Sequence, residues 1–348
     1  MIMRGKGSKN KEGLRIIASV SVSREGIALL LVLWVLTILM VIVLSFSFMS
    51  RTEIQSTASF KESIEKKFLA EAGIERGIME MFYRIMNKNQ TLVLEGTEVW
   101  KVDGTSYEAQ LGDGYYRVKV LDESGKLNIN TVSDILLKNL LMNLGIEEGD
   151  ADIIVDSIMD WRDPDDLHRL NGAEDDYYQS LPNPYEAKDA NFDTLEELIL
   201  VRGITTEILY GTDEKKGIIE FLTVHSNTNK ININAAPKEV LMAIPGMSSD
   251  FADTIIEIRS TNEIRSLQEI GIAGENYSII APYVDITGSN SYTLESVGSK
   301  EKGKGGYAIR ATVTIYSNNK YAYLYYKSPV EIENVEIDSE EAEGAFKY

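Results

Sequence analysis

An uncharged run from Ile27 to Leu44 decides what this chain is able to become. Its 18 residues include one polar side chain, Thr37. At helical rise that length spans roughly 27 Å, about the hydrocarbon thickness of a bilayer. Ser45 to Met49 carry the apolar character further, and no proline falls between Arg51 and Asn87. Over this second stretch apolar residues recur at Ile54, Ala58, Ile64, Phe68, Ala72, Ile78 and Phe82, the pattern of one face of an amphipathic helix. The spacing predicts a membrane helix that continues into a soluble one over residues 27–87, with the bulk of the protein beyond it.

Charge and composition narrow the rest. The net charge of −19 argues against nucleic-acid phosphate as a partner. The absence of cysteine excludes disulfides and thiol chemistry and leaves the redox compartment open. With two histidines as the remaining soft donors, a zinc site is a poor expectation. Residues 1–26 carry six basic side chains against two acidic ones. That bias holds the N-terminus in the cytosol and sends the C-terminal bulk across the membrane. A secretory signal peptide would have a shorter apolar core followed by a small-residue cleavage site, and none follows Leu44. The glycine lies before the run instead, at Gly26.

Ser23-Arg24-Glu25-Gly26 and the run after it resemble the class III leader of type IV pilins and type II secretion pseudopilins. The resemblance implies that residues 1–26 are a leader, that a prepilin peptidase cuts between Gly26 and Ile27, and that the new N-terminus is methylated. Most members carry a glutamate at the fifth mature position, where this chain has Leu31. In assembled fibres that glutamate is held to neutralise the amine of the neighbouring subunit, so its absence suits the subunit at the fibre tip.

Further along, Tyr107–Gln110 and Tyr115–Val120 read as strands joined at Gly112-Asp113-Gly114, and Tyr307–Tyr316 and Tyr321–Tyr326 as a second hairpin. Their tyrosines are expected to pack on the long helix. Glu331–Glu343 reads as a solvated acidic tail. Between the β pieces, residues 125–275 read as helical and contain an internal repeat. Lys126–Thr131 matches Lys230–Ala235, and Ala151–Val155 matches Ala252–Ile256 after a three-residue change of offset. Each copy turns at glycine, Gly145 in one and Gly246 in the other, and Phe192–Ile199 leads to a further such turn at Gly203. Asp193 or Thr194, with Glu196 or Glu197 behind it, would cap the helix before Gly203. The pattern looks like helix-hairpin-helix, a module that grips DNA phosphates. Here Glu147, Glu148 and Asp150 flank the first turn, so the repeat is read as a scaffold.

The remaining chemistry lies in one acidic loop. Asp160, Asp163, Asp165, Asp166, Glu174, Asp175 and Asp176 face Arg162, Arg169 and a neutral His168. The helix carrying Ile153, Ile154, Ile158 and Trp161 must end near Pro164. Asp160 and Asp163 therefore sit at a helix C-terminus, where the macrodipole disfavours anions. Hard oxygen donors at short spacing suit Ca²⁺, but the spacing is not that of an EF-hand. A solvated acidic loop is the competing reading. A carboxylate pair for hydrolysis lacks any accompanying cleft or nucleophile signature.

The Asp-Trp-x-Asp-x-Asp run, Asn171–Tyr178, Asn191–Leu198 and Ile231–Pro237 look like the general secretion pathway protein K family, the minor pseudopilins of the type II secretion system. The resemblance implies an α+β fold, with a pilin-like N-terminal helix and antiparallel sheet interrupted by a large all-α insertion of helix-hairpin-helix or SAM-like repeats. The expected parts are the leader, the helix over 27–87, a head from 88–124 and 276–332, an insertion over 125–275, and a tail over 333–348. It also implies calcium in the insertion; the matching positions are Asp160, Asp163, Asp165, Glu174, Asp175 and Asp176. Implied partners are two other minor pseudopilins in a hetero-trimeric tip complex, the major pseudopilin, the prepilin peptidase and the inner-membrane assembly platform, with no nucleic acid and no enzymatic activity. The protein would be a single-pass inner-membrane subunit with its bulk in the periplasm. A minor pilin of a type IV pilus is the nearer alternative, and a membrane-anchored DNA-binding module the more distant one.

Overall fold

The structure, a computed structural model, describes residues 24–87, 99–226, 228–272, 274–316, 318 and 320–330. The leader before Arg24 and the acidic tail lie outside the described residues. In chain order the elements are α1 (Arg24–Asn87), β1 (Asp103–Leu111), β2 (Gly114–Asp122), β3 (Leu127–Asn128), α2 (Asp134–Asn143), α3 (Glu148–Arg162) and α4 (Asp175–Gln179). There follow α5 (Thr206–Tyr210), β4 (Leu222–Thr223), β5 (Ile231–Asn232), α6 (Lys238–Ala243), α7 (Ser249–Thr261), α8 (Gly274–Ile280) and β6 (Val284–Asp285). The chain ends with β7 (Ser291–Ser299), β8 (Tyr307–Tyr316) and β9 (Lys320–Lys327).

The chain divides into two units, one up to Glu62 and one from Ser63 onward. In the first, α1 is long and apolar enough to cross a membrane, and its side chains from Ile27 to Met49 are exposed. Such a surface is stable against lipid and costly against water. The one polar residue of the run is satisfied locally, the Thr37 hydroxyl donating to the Trp34 carbonyl at 2.7 Å.

In the second unit the last turns of α1 lie on an antiparallel sheet of order β1-β2-β7-β8-β9. Ala70, Ile74, Ile78 and Met81 of the helix are buried with Val118, Val120, Leu294, Ile309, Ala311, Val313 and Ile315 of the sheet. This corrects the face expected from periodicity. Ile78 is buried as expected, but Ile54, Ala58 and Phe68 are exposed. The helix turns its glycines inward: a Cβ on Gly73 would collide with Ser296 and Val118, and one on Gly77 with Leu294. Close backbone approach to the sheet, available only along that glycine stripe, outweighs burial of the bulkier Phe68 side chain.

Both expected hairpins form, β1–β2 around Gly112 and β8–β9 with Tyr316 opposite Lys320 as the closing pair. The sheet also holds β7, between β2 and β8, which the sequence pattern did not announce. Its Ser296 and Gly298 lie against α1, where Gly298 leaves no room for a Cβ beside the backbone of Lys66 and Ala70.

From β3 to β6 the chain builds a separate helical body with its own core, including Leu137, Leu140, Leu141, Ile154, Ile158, Leu241 and Ile255. It is a duplication. In each copy a short strand pairs in parallel with a later one, β3 with β4 and β5 with β6. Each first strand is followed by two helices joined at a glycine of positive φ, Gly145 at 86° and Gly246 at 81°. Asn128 and Asn232 each accept, through Oδ1, from the backbone two residues on, at 2.9 and 3.0 Å. Arg162 donates to the carbonyls of Ile129 and Val132, and Arg259 to those of Ile233 and Ala236. Because β6 pairs with β5, the body extends through Asp285 rather than ending at residue 275.

The body leaves the head after β2 and returns at β7, and these strands are direct neighbours, with Asp122 opposite Tyr292. The junction is knotted at the buried Asp122 carboxylate, which accepts from Ser124 and from the backbone and hydroxyl of Ser289.

Candidate metal centre

The helix expected to stop near Pro164 stops at Arg162, with Asp163 as its C-cap. Asp160 thus stands in the last turn of α3, and its side chain is fully buried. Oδ2 accepts from the backbone N–H of Arg169 at 3.0 Å, while Oδ1 has no hydrogen-bond partner. The nearest cation, the Arg169 guanidinium, is 3.7 Å from Oδ1 and half exposed. Gly172 passes so close to the carboxylate that a Cβ there would collide with it.

Glu174, at the N-cap of the short helix α4, is the second buried carboxylate. Its Oε1 is likewise unpaired. Burial, followed by the charges of Asp160, Asp163, Asp189 and Asp165, pushes its pKa up to about 8. Burial also raises Asp160, opposed by the Arg169 backbone N–H and reinforced by Asp163. Two adjacent buried acids with unpaired oxygens in a negative field are costly unless protonated or met by a cation.

The other expected positions divide. Asp163 and Asp165 lie in the field that acts on Glu174. Asp165 Oδ1 accepts from the Leu167 N–H at 2.9 Å. Asp175 Oδ1 accepts from the Ala187 N–H at 2.7 Å, which ties the two sides of the loop together. Asp176 is exposed, with Oδ1 on its neighbour's backbone N–H at 2.8 Å. Sequence reasoning missed Asp189. It adopts φ 51°, the one non-glycine residue with positive φ among the described residues. Desolvation and the charges of Asp175, Asp166 and Asp163 raise its pKa. Asp189 is exposed, and no sequence motif marks Lys188-Asp189-Ala190.

A frame holds the loop from behind. Arg202 donates to the Gly172 carbonyl at 2.9 Å and lies 4.7 Å above the Tyr177 ring. Tyr178 is buried edge-on against Trp161, and Tyr185 packs on both. Farther on, the expected cap before Gly203 forms as Thr194 with Glu197, whose Oε1 accepts from the Thr194 N–H at 2.9 Å.

Among the described residues no three acidic or histidine side chains are gathered closely enough to ligate an ion as they stand. The fit to a cation rests on the two buried unpaired oxygens and on an all-oxygen donor set, which suits a hard ion such as Ca²⁺.

Comparison with known proteins gives a consistent assignment. The family described as type II secretion system protein K matches residues 119–211, and a helix-hairpin-helix motif matches residues 226–271, so the two matches fall on the two repeats. The chain is 24% identical over 228 residues to a putative type II secretion system protein K of Escherichia coli K12, covering 62% of this chain and 68% of that one. It is 26% identical over 196 residues to a type II secretion system protein K of Klebsiella pneumoniae, covering 52% and 58%. In fold it is similar to a chain of the solved GspK-GspI-GspJ complex from the enterotoxigenic Escherichia coli type 2 secretion system. The TM-score is 0.54 at 14% identity, over 80% of this chain and 100% of that one. In its α+β head, its inserted helical body and these relatives, the chain is similar to the type II secretion system protein K family, whose model covers residues 119–211.

Proposed function

We propose that the chain is a minor pseudopilin at the tip of a type II secretion pseudopilus, where it starts or caps the fibre that drives protein export across the outer membrane. One observation carries the reading: a helical body, with its own core, is inserted between neighbouring strands of a head borne on a membrane-competent helix. A subunit so enlarged has no room for another stacked above it. Leu31, at the position where a buried fibre subunit would carry a glutamate, agrees.

In this reading Gly26–Ile27, in the first turns of α1, is the processing site, the basic leader stays cytosolic, and everything beyond the span is periplasmic. The fold neighbour was solved with two other proteins of its system, which supports a complex with two other minor pseudopilins. The major pseudopilin, the prepilin peptidase and the inner-membrane platform are the further partners. The decisive experiment is the N-terminal mass of the chain co-expressed with a prepilin peptidase, beside Gly26→Ala. A chain beginning at Ile27, lost on substitution, is the expected result; an uncut wild-type chain overturns the reading.

Calcium is the cation the acidic loop would take. Asp160 and Glu174, the two buried carboxylates, would anchor it, with Asp163, Asp165, Asp175 and Asp176 as the further oxygen donors of the loop. Its chemistry there is structural, a positive charge that compensates buried carboxylates.

The helix-hairpin-helix match favours a second reading, DNA binding. The residues at that hairpin speak against it: Lys238 is paired with Asp253 at 2.6 Å, and Arg259 is buried on backbone carbonyls. A minor pilin of a type IV pilus is the closer rival, which the identity of the neighbouring genes separates.

A further inference from the structure

The two repeats use one position in two ways. In the second, residues 260–263 join Arg259 to Ile264; in the first, residues 163–191 join Arg162 to Phe192. The two connections are anchored alike. Each arginine donates to two carbonyls at its Asn-x-Asn turn. The second asparagine of that turn clasps the residue beyond the connection through both its N–H and its C=O. Asn130 holds Phe192 at 2.7 and 3.0 Å, and Asn234 holds Ile264 at 2.9 and 2.9 Å. Connection 260–263 meets the head. Lys101 donates to the Ser260 carbonyl, and Arg84, which also donates to the Trp100 carbonyl at 3.3 Å, is paired with Glu263 at 2.6 Å. The contact is light and peripheral, but it shows what this position meets: cations set beside an aromatic residue. At the equivalent position of the first repeat, residues 164–170 are exposed.

That stretch holds two leucines clear of the fold. Leu167 is 81% exposed and Leu170 96%; among the described residues beyond α1, the next most exposed large apolar side chains are Leu111 and Tyr210, at 49%. Leu170 does not stand out on a slack backbone. The residues on either side of it donate their N–H groups into α3, Arg169 to Asp160 Oδ2 at 3.0 Å and Asn171 to Asp156 Oδ2 at 3.0 Å. Arg202 holds the Gly172 carbonyl at 2.9 Å, and the N–H of Leu167 is taken by Asp165 at 2.9 Å. An apolar side chain presented on a fixed backbone docks with little ordering cost, and its burial in a partner removes apolar surface from water.

Charge selects the occupant. Residues 163–176 hold six carboxylates and one arginine. Asp165 and Asp166 stand exposed beside Leu167, while Arg169 lies beside Asp160. Such a rim repels a second copy of this chain, which carries −19, as it repels an anionic lipid surface or a nucleic acid. It attracts cations around an apolar pocket, the chemistry that the head already offers to residues 260–263. We propose that Leu167 and Leu170 form a docking knob for an apolar pocket rimmed by lysine or arginine on another protein. The proposal stands apart from the calcium reading, because leucines ligate nothing.

Photo-cross-linking of the full chain in its host tests this, with p-benzoylphenylalanine placed at position 170 and, as a control on the same body, at position 210. The protein joined at 170 is identified by mass, purified and titrated against the full chain in detergent micelles. The expected result is an adduct with one folded protein at 170 and none at 210. Its affinity should fall about tenfold or more in the doubly substituted Leu167→Ser, Leu170→Ser chain. It should also fall in Asp166→Lys and weaken as salt rises. The double variant should melt with the wild type, since its leucines bury nothing in the free chain. The proposal is overturned by the absence of an adduct at 170, by one that forms equally at 210, or by one with lipid or a second copy of this chain. It is equally overturned by a partner whose affinity the serine substitutions leave unchanged or Asp166→Lys fails to weaken.

Discussion

At the scale of single residues the protein concentrates its strain in two carboxylates. Asp160 and Glu174 are buried, each keeps an oxygen unpaired, and Glu174 is held protonated to about pH 8 by burial and by Asp160. A carboxyl whose folded pKa lies above its unfolded one binds more protons folded than unfolded. Its contribution is present below the unfolded value, near 4.5 for Glu174, and is lost as pH rises through the folded value near 8. In chelator the chain should therefore lose stability as pH rises across that window. Glu174→Gln should flatten the dependence, read as melting temperature against pH. With calcium bound the trend reverses, since the ion demands the ionised form. The acidity of this loop was legible in the sequence, because acid density without matching cations is a one-dimensional property; the burial of Asp160 and Glu174 was not.

At the scale of elements the governing fact is duplication. The Lys-x-Asn-x-Asn signature marks both copies in the sequence, and the structure gives the asparagines equivalent work. Asn130→Ala and Asn234→Ala each strand a buried backbone N–H and C=O, so each should cost about 1–3 kcal/mol, comparable in thermal denaturation. The arginines were hidden for a definite reason. Once Ala151 and Ala252 are aligned, Arg162 lies one helical turn farther along α3 than Arg259 does along α7, so a linear comparison does not match them. Strand β7 was hidden for another: a strand that must touch a glycine-lined helix carries Ser296 and Gly298 where a pattern search wants large apolar residues. The helix face was misjudged on the same account, since periodicity weighs Phe68 and gives no weight to Gly73 and Gly77.

At the scale of the whole molecule each part carries one tryptophan: Trp34 in the apolar run, Trp100 against the head core and Trp161 in the body core. This arrangement gives a direct test of the proposed calcium. Chelation should shift the denaturation curve reported by Trp161, measured in a Trp34→Phe, Trp100→Phe background. The curve reported by Trp100, which stacks on Tyr107 at 4.4 Å, should stay in place; a common shift would mean that head and body unfold as one. Gross architecture was readable from the anchor, the hairpins and the repeat, whereas the border between head and body depends on which short strands pair. That border has a mechanical meaning. Because the body leaves and re-enters at facing positions of β2 and β7, tied across by Asp122 and Ser289, a load carried from α1 into the sheet crosses the β2–β7 ladder in shear and bypasses the body. In the proposed fibre, a pushing load would bear on the head and leave the helical body unloaded.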